Sequence, residues 1–168
     1  EQLFDFLYRS EVFFLHLSMA ASKATADAAH NIEGSSIVTA MALSCKEYAI
    51  RVSGLGGEWF RAPIPKFQGK VFDGYTLEDV GYIGGESMIT ETTGLGGFAQ
   101  ATAFPLQAYN GGTSEQMIDN TLKMYEITVA EHPEFSIPYL GFRGTPLGID
   151  VTKVVATGIT PIIDLGLA

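Results

Sequence analysis

The chain has 168 residues, 46% of them hydrophobic and only 17% charged, with a formal net charge of −9. That length suits one domain able to bury about two-thirds of its unfolded surface, and the composition excludes intrinsic disorder. The ten Lys and Arg are scattered, which excludes the basic face that nucleic acid or anionic lipid requires.

Elements follow in chain order. Glu11–His30 is apolar nearly all round, with Val12, Leu15 and Met19 on one stripe and the small residues Ser18, Ser22, Thr25 and Ala29 on another. Such a pattern predicts a buried helix that a neighbour can approach closely. His30 falls in its last turn and Asn31 suits the left-handed cap. Ile37–Ser44, apolar on both faces, predicts a central strand, and the alternating Tyr48–Ser53 returns from it as an antiparallel hairpin. Ala62–Gly85, with Pro63 and Pro65, predicts an irregular connection. Ser87–Thr92 is expected as a strand, followed by a glycine turn and a helix that Pro105 ends or kinks. Thr113-Ser-Glu-Gln116 is a capping box for a helix reaching about Glu131, which His132-Pro133 stops. Phe135–Phe142 is strand-like, Asp150 caps a short helix closed by Gly158, and Thr160–Leu165 predicts a last apolar strand. The expected fold is therefore α+β: a mixed sheet with an antiparallel hairpin, packed on a buried N-terminal helix and additional helices.

No linker divides residues 1–168, so a single α+β domain is expected. The start on Glu1 and the apolar end Leu165–Ala168 suggest a piece of a longer chain. The most apolar stretch, Val12–Ala21, is too short to span a membrane and contains His16 and Ser18. The lone Cys45 excludes an intrachain disulfide and suits a reducing cytoplasm, where it reads as a small buried residue. No metal-binding spacing occurs and no cofactor motif is convincing: Gly94-Leu-Gly-Gly-Phe-Ala99 matches G-x-G-x-x-A, but no parallel strand with an acidic end follows it.

Gly-Leu-Gly-Gly occurs twice, at Gly54–Gly57 and Gly94–Gly97, with polar residues before and an aromatic after each copy. Consecutive amides in such turns can converge on an anion, or the turns can simply end strands. The second copy, expected to open a helix, suits an anion better. Around it the candidate binding groups are Thr92, Thr93, Gly94, Gly96 and Gly97, and the candidate acid–base groups are Glu86 and Glu91. Arg51, leaving the hairpin beside the first turn, and Arg143 and Thr145, in Arg143-Gly-Thr-Pro-Leu-Gly148, can grip carboxylate or phosphate. Each has a plain structural alternative in turn chemistry or a surface ion pair. Glu33-Gly-Ser-Ser36 is a further polar turn before the central strand.

Five segments carry a resemblance: Leu17–His30, Ile32–Met41, Ile89–Ala99, Met124–Thr128 and Phe142–Asp150. Together they resemble the bacterial YlbE/YahG-like family over nearly the whole chain. That family is longer than this chain and is associated with FdrA-like proteins. The resemblance implies a link to oxamate carbamoyltransferase, which interconverts oxalurate plus phosphate with oxamate plus carbamoyl phosphate in purine breakdown. It carries over no catalytic residue.

Two readings compete. In the first, this is a domain of a multi-subunit carbamoyl- or acyl-transfer enzyme, an oligomer with an FdrA-like partner, which binds a small anionic substrate at the glycine turns and clamps it with Arg51 and Arg143. In the second, it is a non-catalytic structural or interaction subunit that completes the partner's active site.

Overall fold

The computed structural model describes residues 2–10, 12–81 and 83–164. Two N-terminal helices, α1 (Gln2–Arg9) and α2 (Phe13–Ala28), precede an antiparallel sheet of β1 (Val38–Leu43), β2 (Glu47–Val52) and β3 (Phe60–Pro63) in the order β1-β2-β3. The short helix α3 (Gln107–Asn110) and then α4 (Ser114–Met124) lead into a ribbon of β4 (Thr128–Ile137) and β5 (Arg143–Ile149), also antiparallel, and α5 (Val151–Thr157) closes the regular structure. This is an α+β fold, with antiparallel sheets packed against helices that include the N-terminal ones.

The predicted hairpin forms, with Met41 opposite Ile50 and Leu43 opposite Tyr48. Ser44 organises its turn by accepting from the amides of Lys46 and Glu47, which leaves Cys45 exposed instead of buried. β1 is covered on both faces, as its apolar run requires: Val38, Met41 and Leu43 join Met88, Phe98, Met124, Ile127 and Ile149 in the main core. Phe98 is wholly enclosed, a burial that stabilises by roughly 1.5–3 kcal/mol.

Of the predicted small stripe of α2, Ser22 is buried, Ser18 and Ala29 are half-buried and Thr25 is exposed. Ser22 and Ala26 are the buried residues of the helix, and Ala26 packs with Ala40 and Ile89. Small side chains are what allow a helix this close to a neighbouring backbone. The larger Phe14, Leu15 and Leu17 are exposed, a departure from the all-round burial that the sequence predicts. Glu11, where that helix was expected to begin, lies outside the described residues.

Three further expectations change. Ser87–Thr93 is a 3-10 helix, not a strand, because its threonine hydroxyls bond backward to the carbonyls three residues earlier: Thr90 to Ser87, Thr92 to Ile89 and Thr93 to Thr90. A run of that length is uncommon for 3-10 geometry. The helix expected after the second glycine turn is a series of short 3-10 turns, Gly96–Phe98, Gln100–Thr102 and Phe104–Leu106. The capped helix ends at Met124, seven residues short of Glu131, because the chain turns into β4. His132-Pro133 then sits in the irregular stretch of the ribbon between Glu131 and Ser136, where the ring nitrogen of His132 accepts from the amides of Glu134 and Phe135.

Asp150 caps α5 through the amide of Thr152, and Gly158 ends the helix in the left-handed region, both as predicted. Through Asp164 the last expected strand is assigned no strand, and Leu165–Ala168 lie outside the described residues.

Candidate functional site

The second glycine turn encloses a carboxyl group of the chain itself, that of Glu91. The Glu91 carboxylate is almost completely enclosed. Its Oε1 accepts from the backbone amides of Gly97 and Asp164, each at 3.0 Å. Gly96 makes the room: it lies at φ +58, and a Cβ there would overlap the carboxylate. Gly97 makes room on the other side, where a Cβ would overlap the Ile162 carbonyl. The two glycines thus let a carboxylate and the C-terminal segment meet the same turn.

Burial is the dominant influence on Glu91 and raises its pKa to about 7, against the lowering effect of the amides of Gly97 and Asp164 and the Thr90 hydroxyl. The hydrogen-bond geometry fits a protonated acid. Thr90 Oγ1 stands 2.9 Å from the Ser87 carbonyl and 3.1 Å from Glu91 Oε2, yet a hydroxyl has one proton to give. A protonated Glu91 donates to Thr90, and Thr90 then donates to Ser87. Nearby, the Tyr48 phenol is pushed up to about 12, first by burial and then by the charge of Glu91.

The other predicted groups divide. Thr92, Thr93 and Gly94 join Glu91 in the enclosed cluster: Thr93 Oγ1 lies 2.7 Å from Ser22 Oγ, and Gly94, at φ +80, leaves space for Thr145 Oγ1. Thr145 Oγ1 is buried without a hydrogen-bond partner. Glu86 is exposed at the start of the 3-10 run. Arg51 pairs with Asp27 at 2.9 Å beside the ring of Trp59. Arg143 pairs with Glu131 at 2.6 Å and lies 3.5 Å over the Tyr125 ring. Each guanidinium therefore already holds a carboxylate of its own, one on the sheet and one on the ribbon.

Beyond the glycine turn is a cleft of about 630 Å³. Its wall includes Thr160–Asp164, the same segment whose amide meets Glu91. None of the predicted site residues lines it. Its polar groups, among them Lys66, Gln100, Asn110, Asn120 and Asp164, come from distant parts of the sequence with no shared spacing. Burial raises the Asp164 pKa, partly offset by hydrogen bonds from Gln100 and Asn110. Among the described residues no group of His, Cys, Asp and Glu is arranged to hold a metal, and no helix is long and apolar enough to cross a membrane.

The family model for oxamate carbamoyltransferase subunit AllG matches residues 1–87. The chain belongs to the AllG family. It is 42% identical over 168 residues to oxamate carbamoyltransferase subunit AllG of Escherichia coli (strain K12), covering 99% of this chain and 40% of that protein. It is also 47% identical over 167 residues to uncharacterized protein YahG of the same organism, covering 99% of this chain and 35% of that protein. A crystal structure of a conserved protein of unknown function from Enterococcus faecalis V583 superposes with a TM-score of 0.91 at 46% identity, over 96% of this chain and 39% of that one. The chain thus spans well under half the length of these relatives of the AllG family.

Proposed function

We propose that this chain is part of a carbamoyl-transfer enzyme of the oxamate carbamoyltransferase type, working with an FdrA-like partner on a small anionic substrate. The observation that carries the reading is the 42% identity to the AllG subunit across 99% of the chain. In the synthetic direction the oxamate nitrogen attacks the carbonyl carbon of carbamoyl phosphate. A C–N bond forms, the C–O bond to phosphate breaks with its electron pair leaving on phosphate, and the attacking nitrogen gives up a proton. An amide nitrogen is a poor nucleophile, so a proton acceptor poised near neutrality is required.

Glu91, with its pKa at about 7, has that poise, and perturbed carboxyls of this kind concentrate at functional sites. It is tied to the segment that walls the cleft by the single amide of Asp164, and a displacement of that segment opens it to a substrate. The amides of Gly96 and Gly97 and the hydroxyls of Thr92, Thr93 and Thr145 are then in place to receive an anion. Arg51 and Arg143 take part by exchanging Asp27 and Glu131 for the ligand, and Glu86 stands at the entrance to the same run. The test is a phosphate-dependent assay that consumes oxalurate, run on this chain alone and on the intact chain with its partner. Turnover only in the assembly, lost with Glu91→Gln, supports the reading; turnover undiminished by that substitution removes Glu91 from it.

A second reading, an interaction subunit that completes the partner's site, is favoured by one observation. α1 has no buried residue, and Leu3, Phe4, Phe6 and Tyr8 are 65%, 75%, 63% and 93% exposed. An apolar row of this kind on a surface is characteristic of association. Assembly without any effect of Glu91→Gln on turnover supports this second reading.

A further inference from the structure

The cleft has a composition that the glycine turns do not. A floor of aliphatic side chains, including Leu43, Ile64, Met117 and Ile162, carries a rim rich in carboxamides. These groups adjoin one another: Asn120 Nδ2 donates to Gln100 Oε1 at 2.9 Å, Asn110 Nδ2 donates to Asp164 Oδ1, and Gln100 lies close enough to Asp164 to lower its pKa. Gln100, only 7% exposed, is the buried centre of this cluster. Carboxamides offer a donor and an acceptor side by side, the complement of a –CO–NH– edge.

The cleft is lined by two lysines, Lys66 and Lys123, and two carboxylic acids, Asp119 and Asp164. Lys123 pairs with Asp119 at 2.6 Å, whereas among the described residues Lys66 has no ion-pair partner. The segment bearing Lys66 is held against the carboxamide side of the cleft, since the amide of Lys70 donates to the Asn110 carbonyl at 3.2 Å. The opposite wall is fixed at the start of α4, where the Gln116 side chain accepts from the Thr113 amide at 3.0 Å. The cluster and the free ammonium are thus built on anchored backbone.

We propose that this cleft is the binding site for a small planar carboxylate bearing a carboxamide or ureido group, with the Asn120–Gln100–Asp164–Asn110 cluster reading the amide edge and Lys66 holding the carboxylate. The inference rests on the proposed function in placing that reaction's substrate, and its location is separate from the glycine turn. The volume, about 630 Å³, falls in the usual range for ligand sites. A molecule as small as oxamate fills a fraction of it.

Direct titration of the intact chain by calorimetry tests this, with oxamate as probe, oxalate as the analogue lacking the amide, and acetamide as the analogue lacking the carboxylate. Oxamate is expected to bind at least about tenfold more tightly than either, because each analogue leaves one half of the site unpaired. Lys66→Gln, at an exposed rim position, is expected to weaken oxamate by about tenfold. Asn120→Asp, which replaces the donor facing Gln100, is expected to do the same with the fold intact by circular dichroism, and should it unfold the chain, Lys66→Gln decides alone. No oxamate binding, equal affinity for oxalate, or indifference to Lys66→Gln overturns the proposal. Binding that responds to Lys66→Gln in an assembly that never transfers a carbamoyl group upholds the cleft and removes the proposed function. Turnover with a KM for oxamate unmoved by Lys66→Gln does the reverse.

Discussion

The Gly97 amide donates to the Glu91 carboxylate over 3.0 Å, inside a protein where that carboxyl is 1% exposed. This one bond joins the 3-10 run Ser87–Thr93 to the glycine turn, and the Asp164 amide on the same oxygen adds the C-terminal segment. The adjoining run and turn and the distant C-terminal segment are held by one acidic side chain, so its protonation state bears on stability.

The first prediction concerns pH. The folded Glu91 pKa of about 7 exceeds the ordinary 4.5, so the native state binds this proton more tightly than the unfolded chain does. The stability contributed by the group is complete below about pH 4.5 and is lost as pH rises through 7, by about 3 kcal/mol at most. Glu91→Gln retains the acceptor for Gly97 and Asp164 and offers an N–H to Thr90, so its stability should be flatter between pH 5 and 8. Urea midpoints across that range measure the difference, and identical slopes for wild type and variant defeat the assignment.

A second prediction separates the glycines. A Cβ on Gly97 would overlap the Ile162 carbonyl, and backbone cannot rotate away; on Gly57 it would meet nothing within 4 Å. Gly97→Ala should destabilise by about 1–3 kcal/mol, as overpacking does, lowering the melting temperature by several degrees. Gly57→Ala should fall within about 0.5 kcal/mol of wild type or stabilise slightly. Gly54 is a poor control, since a Cβ there would lie 2.7 Å from the Ser35 carbonyl. Equal losses at positions 57 and 97 would contradict the packing described.

These contrasts show what the sequence disclosed. Local chemistry was legible: the Thr113 capping box, the Asp150 cap and the hairpin all depend on neighbours within a few residues. The Ser87–Thr93 run was misread because β-branched threonines favour strands, while their hydroxyls, bonded three residues back, hold a helical turn instead. The partner of the second glycine turn was not legible: Glu91 takes the Gly97 amide, and its enclosure depends on Ile162 and Asp164 crossing from 70 residues away. The cleft was invisible, because Lys66, Gln100, Asn110 and Asn120 share no periodicity and meet only through the tertiary fold.

Thr145 provides a third test. Its hydroxyl is buried beside Gly94 without a partner, and an enclosed polar group left unpaired costs free energy. Thr145→Val keeps the shape and removes that cost. Stability should rise by about 1 kcal/mol, and the melting temperature by roughly 2–4 °C. A fall on differential scanning calorimetry would mean that the hydroxyl is satisfied, by a bound water or by the substrate anion expected at this turn.

The last prediction addresses α1. Its eight residues contribute no buried side chain, and an isolated helix of that length is marginal in water. Phe4 and Phe6 are 75% and 63% exposed, so replacing both with serine removes apolar surface that the domain itself does not use. Domain stability should therefore change by less than about 0.5 kcal/mol. If the apolar row is where the FdrA-like partner docks, the same double variant should fail to co-elute with that partner in size-exclusion chromatography and should lose oxalurate turnover in the assembly. Co-elution and turnover at wild-type levels would place the partner on another face, and a large loss of domain stability would show that these aromatics support the fold. The substitutions leave Glu91 and the cleft untouched, so lost activity with unchanged oxamate binding assigns the defect to assembly and not to the site.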